Sequence, residues 1–143
     1  MSNKQKHLEL VQGIINRLST NSSLLKGWSV TLVSALFALS TSDSRANLIY
    51  VAYIPIAVLW GLDGFFLCQE ELFRKLYDRV RVLPEEKIDF SMDVNQIKGK
   101  ERPTWIRATF SKTLIPFHGM LILPIVVMTI FNLYTNYIQR GNN

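Results

Sequence analysis

Cysteine, histidine and charge are all scarce in this chain of 143 residues. The single cysteine, Cys68, excludes an intramolecular disulfide framework and a cysteine-cluster metal site. With only His7 and His118 there is no metal-spaced histidine set, and no glycine-rich phosphate loop is present. No catalytic residue, metal or cofactor is therefore expected, and the chain does not read as an enzyme. Charged residues make up 19%, against about 25% in an ordinary soluble domain. They fall in blocks that leave long stretches almost uncharged. A large α/β enzyme and a disordered chain are both excluded by this pattern. With 48% hydrophobic residues and a net charge of +5, the composition points to a small multi-span membrane protein.

Leu8, Val11, Ile15 and Leu18 recur at helical spacing, with Lys4, Lys6, Glu9, Gln12 and Arg17 largely off that stripe. Residues 1–23 thus read as an amphipathic helix that ends in the Ser19-Thr20-Asn21-Ser22-Ser23 run. It lacks the apolar core of a signal peptide. Three apolar stretches follow: residues 24–42, with Lys26 near its start; 46–68, containing Asp63; and 113–139, with no formal charge. About 20 helical residues cross a hydrocarbon core, so each can span. A short polar connector, 41–47, makes the first two an antiparallel hairpin.

Residues 1–26 hold four Lys+Arg and residues 69–112 hold ten, against one in the short connector (Arg45) and one in the C-terminal tail (Arg140). The positive-inside rule then places the N-terminus and the long middle segment in the cytoplasm and the C-terminus outside. The second span continues without a breaker to Pro84, supported by the pairs Glu71–Lys75 and Arg74–Asp78. From Asn47 to Val82 a helix measures about 54 Å, enough to project a stalk into the cytoplasm. Pro55 is a candidate kink.

Beyond Pro84, Ile88, Phe90, Met92 and Val94 alternate with polar residues, the pattern of a half-buried β-strand that must pair with another strand or lie on a helix. Next come Lys98, Lys100, Arg102 and Arg107, with Trp105 among them. Cations neutralise phosphates and an indole can stack on a base. The plainer reading is a set of juxtamembrane cations touching anionic headgroups, with Trp105 in the interfacial aromatic belt. The expected fold is all-α, with an amphipathic helix (1–23), spans at 24–42, 46–82 including the stalk, and 113–139. The short strand and basic cap occupy 83–112.

Asp63 is the most informative residue, because a carboxylate within a span is costly and must face protein or water. It lies about 24 Å along its helix, near the cytoplasmic face, and His118 enters its own span to about 8 Å, a comparable depth. The two are expected within one turn of each other in depth. They read as a buried hydrogen bond that fixes packing or, with Glu70, as a polar zone near a pore mouth. Asp63, Leu67, Glu70 and Arg74 share one helix face. Cys68 reads as a packing residue.

Leu24-Leu25-Lys26-Gly27-Trp28, the run from Trp60 to Glu70, and Phe73-Arg74-Lys75-Leu76-Tyr77 resemble small multi-span membrane effectors of bacterial antiphage defence. Among these the chain is most similar to the channel partners of Hailong systems. The resemblance covers roughly residues 8–95. It implies a partner nucleotidyltransferase that makes a short oligodeoxyadenylate, and a membrane channel whose opening that ligand controls. On this basis the chain is expected to be a homo-oligomer, with a tetramer favoured, in contact with membrane lipid. The expected ligand residues, chosen on charge and aromatic content, are Lys98, Lys100, Arg102, Trp105, Arg107, Arg74 and Lys75; the expected gating residues are Asp63, His118 and Glu70. A non-conducting membrane anchor that recruits a soluble defence enzyme is the alternative.

Overall fold

The computed structural model describes residues 2–40, 48–99 and 102–141. The connector expected at 41–47 and the ligand candidate Lys100 lie outside them. Among the described residues the fold is all-helical, with three helices long and apolar enough to cross a membrane.

The first of these, α1 (Asn3–Ser40), is one continuous helix of 38 residues. The break expected at Ser19–Ser23 does not occur, so the amphipathic segment and the first span are a single element. Hydroxyls explain why. Thr20 Oγ1 donates to the Asn16 carbonyl at 2.9 Å and Ser29 Oγ to that of Leu25 at 2.8 Å. These side chains are satisfied by the preceding turn instead of capping a new helix. Its buried stripe (His7, Val11, Ile15, Ser22, Ser29, Val33 and Ser40) also runs through the serine-rich stretch without a change of face.

A short helix, α2 (Leu48–Val51), leads into α3 (Tyr53–Val82). The interruption at Ala52 reflects Pro55, which has no N–H to donate to the carbonyl four residues earlier. The helix then continues past the apolar stretch to Val82, as the absence of a breaker before Pro84 predicts. Pro84 forces Leu83 into extended backbone and ends it. After the connector come α4 (Trp105–Thr109) and α5 (Leu114–Gly141). Pro116 sits in the first turn of α5, where a missing N–H costs nothing.

The expected strand at 87–94 is absent; no strand occurs among the described residues. Asp89 Oδ1 accepts from Ser91 N at 3.0 Å, and Asp93 Oδ1 accepts from Asn95 N at 2.9 Å. These bonds take up amides that a ladder would need. The alternating apolar residues instead strap the segment onto α1 and α3: Ile88, Met92, Val94 and Ile97 cover Val11, Ile15, Leu76 and Val80. At its turn Phe90 adopts φ 55° and its ring lies 5.5 Å from that of the buried His7, whose Nε2 is 3.2 Å from the Ser91 carbonyl. Lys4 Nζ donates to the Leu83 carbonyl at 2.9 Å. The strap is therefore held at both its start and its turn by the N-terminal end of α1.

Ile97 joins two apolar clusters, one with Val11 and Leu76 and one with Cys68, Leu72 and Ala108. Ile97→Asp is expected to release the strap and raise trypsin cleavage after Lys98 on the order of tenfold, a loss of about 1.4 kcal/mol of docking. An unchanged cleavage rate would show that the strap is held elsewhere.

Candidate functional site

The apolar stretches of α1, α3 and α5 meet at one carboxylate. Asp63 is fully buried. Its Oδ1 accepts from Ser22 Oγ at 2.5 Å and from Lys26 Nζ at 2.8 Å, and its Oδ2 lies 2.7 Å from Lys26 Nζ and 3.1 Å from His118 Nε2. Ser22 and Lys26 are one turn apart on α1, so both reach the same group. An ionised carboxylate only accepts, so His118 donates through Nε2–H. Its Nδ1 is buried with no hydrogen-bond partner among the described residues. The imidazole is fixed by Trp60, stacked at 5.4 Å between centroids, and by Phe117, edge-on at 5.1 Å.

The predicted pairing of Asp63 with His118 is thus formed within one chain. The carboxylate faces protein and not water, and its oxygens are all occupied. Glu70 is not part of the junction: it is buried further along α3 and its Oε1 accepts from Arg74 Nη2 at 2.8 Å and Nε at 2.9 Å. Sequence reasoning missed Ser22, read as part of a helix break, and Lys26, placed only near the start of its span. The signal available was their i,i+4 spacing on the buried stripe.

A second feature lies where α4 crosses α3. Gly64 and Thr109 are in such close approach that a Cβ on Gly64 would sit 2.8 Å from the Thr109 Cα. Trp60 Nε1 donates to the Thr109 carbonyl and Trp105 Nε1 to the Gly61 carbonyl, each at 2.8 Å. These reciprocal bonds bind α4 to the stretch of α3 that carries Asp63.

Beside α4, a groove of about 680 Å³ is lined by Arg74, Lys75, Arg107 and Lys112, with Glu71 and Asp78 the opposing charges. The structure therefore gathers three of the seven expected ligand residues and adds Lys112. Pro103 also lines this groove, so the strap ends at its edge. Lys98 is exposed on the strap, and Arg102 Nη2 donates to Asn95 Oδ1 at 3.4 Å. Trp105 does not line the basic groove; it borders a separate apolar pocket with Trp60, Gly61 and Ile106. Among the described residues no cluster of three or more His, Cys, Asp or Glu is placed to hold a metal ion.

Comparison of the chain with protein-family models, curated proteins and solved structures found no match.

Proposed function

We propose that this chain is a homo-oligomeric ion channel of bacterial antiphage defence, most similar to the channel partners of Hailong systems. Its opening is controlled by a short oligonucleotide, such as an oligodeoxyadenylate made by a partner nucleotidyltransferase. The chain lies in the inner membrane with its N-terminus, stalk and strap in the cytoplasm, as the count of fourteen Lys+Arg against two supports. Three helices cannot enclose an aqueous pore, so several copies surround it, with four favoured.

The observation that carries this reading is the Asp63 junction. It ties all three apolar helices together at the end where α4 and the basic groove adjoin them. Phosphates drawn to Arg74, Lys75 and Arg107, with Lys98 and Arg102 on the strap side, would pull on α3 and α4 together. Because α3 is locked to α1 and α5 through one carboxylate, the displacement reaches every span. Control requires that the ligand bind the open and closed arrangements with different affinity. In this scheme Asp63 and His118 act as the coupling point, and Glu70 holds Arg74 at the groove.

Planar-bilayer current from the purified protein, with and without oligodeoxyadenylate at two salt concentrations, tests the proposal. Unitary currents that change with the oligonucleotide, and change less at high salt, are expected. Reversing Lys75 and Arg107 to Glu together should weaken the response on the order of a hundredfold, at about 1.4 kcal/mol for each phosphate contact replaced by repulsion. A bilayer silent under every condition would instead favour the non-conducting anchor.

A further inference from the structure

The two cavities flanking α4 share a wall. Phe110 lines the basic groove on one side and an apolar pocket of about 300 Å³ on the other, formed also by Ala57, Trp60, Gly61, Trp105 and Ile106. No charged side chain lines the second pocket. Their order along α3 is informative. The apolar pocket faces residues 57–61, and the basic groove faces residues 71–78. From Gly61 to Glu71 is about 15 Å of helix. Hydrocarbon-compatible and anion-compatible surfaces therefore succeed each other along the helix axis, in the order that a leaflet presents acyl chains and phosphates.

The side chains of α4 fit the same environment. Trp105 and Ile106 on α4 and Phe110 just after it are 53%, 68% and 60% exposed, and Arg107 sits among them. Aromatic and aliphatic side chains interleaved with cations on a short helix mark the boundary between hydrocarbon and headgroups. The indole N–H of Trp105 is already satisfied by the Gly61 carbonyl, so its ring borders an apolar pocket with no donor left unpaired. Four cations against two carboxylates give the groove a net charge of +2, which favours a headgroup with net negative charge over one whose phosphate is balanced by a choline.

We infer that the cleft around α4 binds one anionic phospholipid, its phosphate held by Arg107 and Lys112 and one acyl chain lying along Trp60, Gly61, Trp105 and Ile106. The site does not depend on the chain conducting ions or recognising an oligonucleotide. The two ligands would share the basic groove, through Arg107 and Lys112.

The test uses the full chain in phosphatidylcholine vesicles, in a Trp28→Phe background so that Trp60 and Trp105 report on the cleft. Trp28 is 60% exposed and its replacement leaves the buried stripe intact. A minor fraction of the lipid is replaced by brominated phosphatidylglycerol or, in the matched arm, by brominated phosphatidylcholine. Phosphatidylglycerol is expected to quench with an apparent affinity on the order of tenfold higher, as cations at a membrane surface provide. Arg107→Gln with Lys112→Gln should remove that preference while leaving quenching by phosphatidylcholine unchanged. Lys87→Gln, which removes an exposed cation outside the cleft, should preserve it. Equal quenching by the two lipids, or a preference that survives the double substitution, overturns the inference. So does relief of quenching by dilute inorganic phosphate, because the groove would then be reading a free anion. A chain that shows the lipid preference yet carries no current would sink the channel proposal and leave this site standing.

Discussion

Asp63→Leu is expected to destabilise the helical bundle by about 3 kcal/mol or more, the cost of breaking a buried ion pair by removing one partner. The substitution leaves Lys26 and His118 facing an apolar side chain at the meeting point of three helices. Lys26 is one-quarter exposed and can swing part of its charge toward water, which holds the effect near the lower end of the range. The loss is still a large part of the 5–15 kcal/mol that usually separates folded from unfolded. Lys26→Met combined with Asp63→Leu should recover most of it, because an apolar replacement of a whole buried pair is commonly neutral or stabilising. Thermal unfolding in detergent, followed by retention of the folded species on size exclusion, measures both. An Asp63→Leu midpoint equal to that of the parent would mean that the junction contributes nothing to stability. The rescued double variant also separates packing from control: if it folds and its current still responds fully to oligonucleotide, the junction is not the coupling point.

Gly64→Ala is the second large effect. In a helix interior, alanine ordinarily gains about 0.5–1 kcal/mol over glycine. At Gly64 the added methyl would lie 2.8 Å from the Thr109 Cα, which is backbone and cannot rotate aside. Overpacking should reverse the sign and cost about 1–3 kcal/mol. It should also push α4 off α3 and break the bond from Trp60 to the Thr109 carbonyl. Thr109→Ala removes the hydroxyl conflict but not the backbone one, so it should restore only part of the loss. Gly61→Ala provides the contrast: its nearest neighbour would be the Trp105 ring at 3.6 Å, an ordinary contact, and stability should hold or rise. If the two glycine variants unfold at the same temperature, α4 is not seated against Gly64.

The shared level of Asp63 and His118 was legible in the sequence, and the partners Ser22 and Lys26 were not. Helix rise alone placed Asp63 and His118 at the same level, and they lie 3.1 Å apart. Three apolar helices, the uninterrupted run to Val82 and its stop at Pro84 followed from composition and proline chemistry. The serine-rich stretch misled because Ser, Thr and Asn favour caps in isolation. Here the burial of Ser22 against Asp63 and the back-bonding of Thr20 favour continuation. The strand at 87–94 was misread for a related reason. Period-two alternation reports that one face is covered, and the cover turned out to be α1 and α3 in place of a neighbouring strand. Clustering of cations near Arg107 was visible, but their division was not. Which of them share a groove depends on how α4 crosses α3, and that is set by the single missing side chain at Gly64.

The continuity of α1 has a mechanical consequence. A helix without a break behaves as a stiff rod, and this one is gripped at three kinds of place: at Lys4 and His7 by the strap, at Ser22 and Lys26 by Asp63, and near Val33 and Ser40 by α2, the start of α3 and the middle of α5. The middle grip is a fulcrum. From His7 to Lys26 the rod measures about 28 Å, and from Lys26 to Ser40 about 21 Å. A sideways displacement where the strap is attached would reappear at the opposite tip, reversed in direction and at roughly three-quarters of its amplitude. A helix divided at the serines, as the sequence suggested, would have absorbed that motion at the joint.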